Sequence, residues 1–109
     1  MKDDWFTKES TQAGLGRVLE TATDDFAASF GPHTRRLLCP VCGSSYQHTG
    51  TPFDIPGQDA YEAGWGGRGN LLVVPVWCEE GHEWEMCFGF HKGETFSFVR
   101  INPVLQTTS

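Results

Sequence analysis

Two short stretches of this chain bring thiols and imidazole close together in sequence: "CPVCG", residues 39–43, and "CEEGH", residues 78–82. In the first, a tight turn carries the sulfurs of Cys39 and Cys42 to one point, and Gly43 permits the sharp bend that aims backbone amides at them. In the second, Gly81 permits the turn that folds His82 back toward Cys78. One pair alone is a moderate signal. The two together supply three thiolates and one imidazole, the Cys3His donor set of a closed tetrahedral zinc site. The 35 residues between the pairs leave room for a strand out, a loop and a strand back. The expected ligands are therefore Cys39, Cys42, Cys78 and His82, and the expected cofactor is zinc.

Cys87 and His91 repeat the same C-x3-H spacing and are the rivals for the second half of the site. They lie in a strongly alternating segment, where four residues of extended chain span ~13 Å. Two ligands of one tetrahedral zinc must lie within about 4 Å of each other, given its bond lengths. They cannot share an ion unless that strand is broken, so Cys87 reads as a reduced core thiol. A thioredoxin-like role for Cys39 and Cys42 would need a strand before the pair and a helix after it. Gly43-Ser44-Ser45 and an extended stretch follow instead.

Four protein ligands close a zinc site, whereas catalytic sites keep a position for water. The chain also lacks a Ser/His/Asp order, an H-E-x-x-H motif and a glycine loop with lysine that would cradle phosphate. His33, His48 and His91 read as surface or turn residues. No enzyme is expected; the zinc is structural and the function is binding.

The elements that must position these residues are mainly strands. Residues 71–78, "LLVVPVWC", form a buried strand whose Pro75 requires an edge or a bulge. Residues 83–91 alternate, with Trp84, Met86, Phe88 and Phe90 on one face. Residues 95–101 alternate again, and Lys92-Gly93 makes a two-residue hairpin turn between them. Residues 45–49 are a short strand, and residues 50–69 a long Gly- and Pro-rich loop. Ahead of Pro32, Leu15, Val18, Leu19, Ala22, Phe26 and Phe30 recur at helical spacing, although Gly14 and Gly16 weaken the start and Thr23-Asp24-Asp25 could cap a second short helix beginning near Phe26. The expected fold is small α+β: an antiparallel β zinc ribbon of three to four strands over residues 39–109, preceded by an N-terminal arm, residues 1–38, with an amphipathic helix.

At 109 residues the chain fits one small domain, whose limited burial a metal staple would support. Its net charge is −6, concentrated as −3 over residues 1–31 and −4 over residues 58–93. That balance disfavours phosphate binding, which needs clustered Lys and Arg. A protein partner is expected, read by the loop 61–69, with Trp65 and Arg68 as anchors, and by the arm 11–30; the rival is that Trp65 is a lid folded over the ribbon core and that both segments simply cover the sheet. The alternative is a nucleic-acid-binding ribbon using Arg35, Arg36, Arg68, Lys92 and stacked aromatics. No apolar run approaches the ~18 residues of a membrane span, and "MKDDWFTKES" is not a secretory signal. No membrane association and a cytoplasmic location are expected, consistent with cysteines that hold metal rather than disulfides.

"CPVCG" followed by a strand entering "WCEEGHEW" resembles zinc-ribbon proteins whose second knuckle reads C-x2-G-H-x-W, and "GFHKGETF" extends the likeness to a set of small zinc-ribbon proteins of bacteria and phages. The resemblance covers residues 39–48 and 74–98 and implies zinc at Cys39, Cys42, Cys78 and His82. It brings no activity with it. The expected role, drawn separately from the binding reading above, is a phage or bacterial regulator acting on a transcription or defence complex.

Overall fold

The computed structural model describes residues 10–57 and 65–102. They form a six-stranded antiparallel sheet with little helix. The strands are β1 (Thr11–Ala13), β2 (Gln47–Thr49), β3 (Phe53–Ile55), β4 (Leu71–Cys78), β5 (Glu83–His91) and β6 (Glu94–Ile101). Their order is β1-β6-β5-β4-β2, with β3 also on β4. No helix among the described residues is long and apolar enough to cross a membrane, which leaves β-barrels unaddressed.

The centre is the β4–β5–β6 meander, and its alternation is the reason it forms. Val76, Trp84 and Ile101 lie side by side in register, as do Val74, Met86 and Val99. The opposite face carries the rows Val73, Cys87, Phe98 and Leu71, Gly89, Phe96. Both faces are covered. Val18, Cys39, Val76, Cys78, Trp84, Val99 and Ile101 make one core; Trp65, Leu71, Val73 and Cys87, with Phe53, Ile55 and Phe98, make the other. The β5–β6 turn is the one its residues dictate: Lys92 at φ 53° and Gly93 at φ 86°, closed by the His91–Glu94 pair.

Pro75 sits where β4 changes partner on its outer side. Residues 71–73 pair with β3 and residues 76–78 with β2, and the Pro75 carbonyl accepts from the Gly50 amide at 2.8 Å. A residue without an N–H is tolerated at such a break.

The expected α+β class gives way to a mostly β domain, and six strands replace three to four. The helix expected within 11–30 is reduced to a four-residue 3-10 turn, Leu15–Val18, and one helical turn, α1 (Asp25–Ala28). Thr11–Ala13 instead pair with β6. The helical stripe splits because its two halves have different partners: Val18 is buried on the sheet, whereas Phe26 and Phe30 are 66% and 71% exposed and touch each other edge to face. Gly14 and Gly16 permit the break. Asp24 caps α1, accepting from the Ala27 amide at 2.8 Å. Thr11–Ala13 thus extend the sheet and Leu15, Val18 and Leu37 pack on it, while Phe26 and Phe30 stay exposed.

Candidate metal centre

The four residues with ligand chemistry are brought together from two turns. The first follows a short antiparallel pairing in which the Leu38 amide donates to the Val18 carbonyl and the Glu20 amide to the Arg36 carbonyl. This delivers Cys39 to the end of the sheet, and Arg17 donates to the Pro40 carbonyl at 2.7 Å. Gly43, at φ 80°, closes the turn, with its amide on the Cys39 carbonyl. The second turn joins β4 to β5. Gly81, at φ 101°, lets its amide reach the Cys78 carbonyl while the Cys78 amide donates to the His82 carbonyl. The turns match in one detail: the amide two residues on points at the leading sulfur, Val41 to Cys39 at 3.4 Å and Glu80 to Cys78 at 3.3 Å. Such N–H···S contacts stabilise thiolate.

Cys39, Cys42, Cys78 and His82 place their donor atoms within 4.8 Å of one another. The Cys42 and Cys78 sulfurs are 3.6 Å apart, and Cys39 Sγ is 3.7 Å from His82 Nδ1. Donors on one tetrahedral ion with bonds of ~2.0–2.3 Å stand ~3.5–3.8 Å apart, so these two pairs already match a small tetrahedral cation and no other pair need close by more than about 1 Å. Three sulfurs and a nitrogen suit a soft or borderline metal and not Mg2+ or Ca2+, which take oxygen.

The electrostatics point the same way. Burial pushes the Cys39 thiol up to about 11, and the neighbouring Cys78 thiolate adds to the rise. Burial also works to raise Cys78, but the Glu80 amide and the His82, Gln47 and Cys42 side chains outweigh it and hold Cys78 at about 6. One sulfur is therefore prepared as thiolate at the expense of another; a bound cation removes that conflict by favouring all three.

Gln47 extends this support. Its side-chain oxygen accepts from Trp84 Nε1 at 2.9 Å and its nitrogen donates to the Ser44 carbonyl, tying the first turn to the core tryptophan of β5. Nothing in the sequence singled out Gln47; only the register that sets it opposite Cys78 does so.

Cys87 and His91 are apart from the cluster. Cys87 is fully buried beside Val73, and its thiol is pushed up by burial, with the Glu85 carboxylate adding to the effect. His91 lies at the far end of β5, where its Nδ1 accepts from the Arg68 amide. His48, read as a surface residue, is exposed and pairs with Glu79 at 2.7 Å.

Trp65 differs from expectation. The exposed anchor predicted in the glycine-rich loop is 9% exposed and lies over the sheet, its Nε1 donating to the Gly69 carbonyl and its ring stacked toward Phe98. Two glycines make room for it, one local and one distant: a Cβ on Gly67 would collide with the indole, and one on Gly89 of β5 would stand 2.5 Å from it. Arg68 is exposed as expected. Residues 58–64 of the same loop lie outside the described residues.

A second buried polar feature lies on the Trp65 face. Glu85 and Arg100 pair in register, are both fully buried, and approach to 3.2 Å, with Arg100 Nε also donating to Ser10.

No protein-family model, curated protein or solved structure matches the chain, so its function rests on the chemistry of this cluster and of the surface around it.

Proposed function

We propose that this chain is a zinc-ribbon binding module in which zinc is structural and the sheet around it presents a surface to a protein partner. The observation that carries the reading is the convergence of Cys39, Cys42, Cys78 and His82 within 4.8 Å. Four protein donors fill a tetrahedral ion and leave no position for water or substrate, which favours a staple over a catalyst. Zinc suits three thiolates and an imidazole, and in this role it supplies a redox-inert cross-link. The residues do the rest: Cys39 and Cys42 fix the entry to the sheet, and Cys78 and His82 fix the β4–β5 turn.

The role assigned to the module is that of a bacterial or phage regulator acting on a transcription or defence complex; the likeness of the two knuckles to zinc-ribbon proteins supports the metal site. The net charge of −6 favours a protein over a nucleic acid as the partner. Arg68 is exposed for contact, whereas Trp65, buried over the sheet, offers a partner little surface.

Elemental analysis of freshly purified, reduced protein should find one zinc per chain, and a strong chelator should unfold it, since structural zinc supplies on the order of 10 kcal/mol of folding free energy. Cys78→Ser should lose the metal and the fold. Cys87→Ser should keep the metal and lose about 1–2 kcal/mol, an ordinary core substitution. Protein without metal, or equal metal loss in both variants, would overturn the reading.

A further inference from the structure

The two cores leave out one large aromatic at the metal end of the sheet. Trp77, next to the ligand Cys78, is 49% exposed and belongs to neither core. It does not stand alone. His48, its register partner on β2, stacks on it with ring centroids 4.2 Å apart and planes at 21°. Tyr46, 68% exposed, lies just ahead of β2, and its carbonyl accepts from the Glu79 amide.

The surroundings of this aromatic surface are acidic. Glu79 pairs with His48, and Glu83 sits across from Trp77 on β5, on the side away from His48. Asn102 donates to a Glu83 carboxylate oxygen at 3.5 Å. Glu80 is exposed in the adjoining turn. Arg100, the basic group one row along the same face, is buried against Glu85, while Lys92 lies in the turn at the opposite end of β5. An indole with one face covered by imidazole and carboxylates around it is complementary to a cation, and best to a planar guanidinium that can both stack and pair. The same carboxylates oppose the phosphates that would accompany a stacked base.

We propose that Tyr46, His48 and Trp77, with Glu79 and Glu83, form the docking surface for an arginine-bearing segment of a protein partner. This deepens the binding role proposed above and does not depend on which metal fills the cluster. The guanidinium lies against Trp77 and its N–H groups donate to the carboxylates. His48 holds Glu79 in place from the β2 side.

The test is a nuclear magnetic resonance titration of the full, metal-loaded chain with a synthetic Gly-Arg repeat peptide, with a Gly-Glu repeat peptide and an oligothymidylate as comparisons. The Gly-Arg peptide should give saturable shifts at the Trp77 indole N–H and the His48 and Glu79 amides, and leave the Trp65 indole unmoved. Trp77→Ala should weaken binding roughly three- to thirtyfold, the range spanned by exposed to desolvated cation–π contacts. Glu79→Lys, a change at an exposed site, should abolish it while the rest of the spectrum stays dispersed. Equal binding by the folded Trp77→Ala and Glu79→Lys variants would overturn the proposal, as would the absence of peptide shifts. Oligothymidylate shifting these resonances in place of the peptide would assign the surface to nucleic acid instead. Zinc content measured on the same sample separates the two readings: metal-free protein that still binds through Trp77 defeats only the zinc ribbon, and zinc-loaded protein that ignores the peptide defeats only the docking surface.

Discussion

Gly89→Ala adds one methyl group and tests how the Trp65 face is packed. The new Cβ would lie 2.5–2.6 Å from three ring atoms of Trp65, against ~3.5–4.0 Å for a relaxed carbon contact, so roughly 1 Å must be found. The ring cannot simply turn aside. Its Nε1 is tied to the Gly69 carbonyl at 3.1 Å, and Phe96 and Phe98 flank it at centroid distances of 5.9 and 6.5 Å. Overpacking of this kind costs ~1–3 kcal/mol, and alanine recovers ~0.5–1 kcal/mol over glycine within a strand. A net loss of about 1–2 kcal/mol should lower the melting temperature by roughly 4–16 °C. Trp65→Ala alone should cost ~3–5 kcal/mol as a large core truncation. The decisive measurement is the double variant. With the indole gone, the methyl at residue 89 has space, so Gly89→Ala should become neutral or stabilising by up to ~1 kcal/mol. Urea unfolding of the four proteins, each saturated with zinc, gives the coupling directly; it should be ~1–3 kcal/mol and favour the double variant. Additivity within ~0.5 kcal/mol would refute the packing argument.

Two further outcomes follow from the polar contacts. Arg100→Met strands the buried Glu85 carboxylate and should destabilise the domain by ~3–5 kcal/mol; adding Glu85→Gln should recover much of that loss in the same unfolding assay. The Asp24 carboxyl is held below its usual 3.8 by the Ala27 amide first and then by Arg36. Because the folded value is the lower one, its contribution is fully present above the unfolded value and is lost as pH falls through the folded value. Acid titration should therefore release the Ala27 amide from its cap, seen as a shift of that resonance below about pH 4, and Asp24→Asn should keep the cap and remove the titration.

What the sequence revealed depended on how local the determining contacts are. Residues at fixed short spacing, Cys39 with Cys42 and Cys78 with His82, meet in the structure, and Lys92-Gly93 makes the turn its φ preferences require. Strands β4 and β5 match their alternating or apolar runs residue for residue, and β6 begins one residue before its alternating run at the same final residue. Trp65 departs from the exposed reading because glycine at 67 and at 89 leaves the space its indole fills; Gly67 is local, but the β5 surface that the ring lies on is 24 positions further along the chain. Strand β1 has only "TQA" to announce it, and it exists because β6 offers an edge. The apolar spacing of Leu15, Val18, Phe26 and Phe30 suited a helix, but only Leu15 and Val18 found a surface to pack on. The burial of Glu85 and Arg100 is likewise set by the register that places them against each other, which no local spacing announces.

The pairing of Thr11 with Ile101 bears on how the chain is made. A ribosome adding ~5–20 residues per second delivers the partner of β1 some 5–20 s after β1 itself. Until then the first strand has no template, and β4 and β5 can form their hairpin without it, closing through a turn of a few residues. The thiols of Cys39 and Cys42 are likewise synthesised well before Cys78 and His82, and wait as a half-site open to any soft ion or oxidant. Biogenesis of this small sheet is therefore ordered from its middle outward, with β1 made before the other strands and among the last of them to find its place.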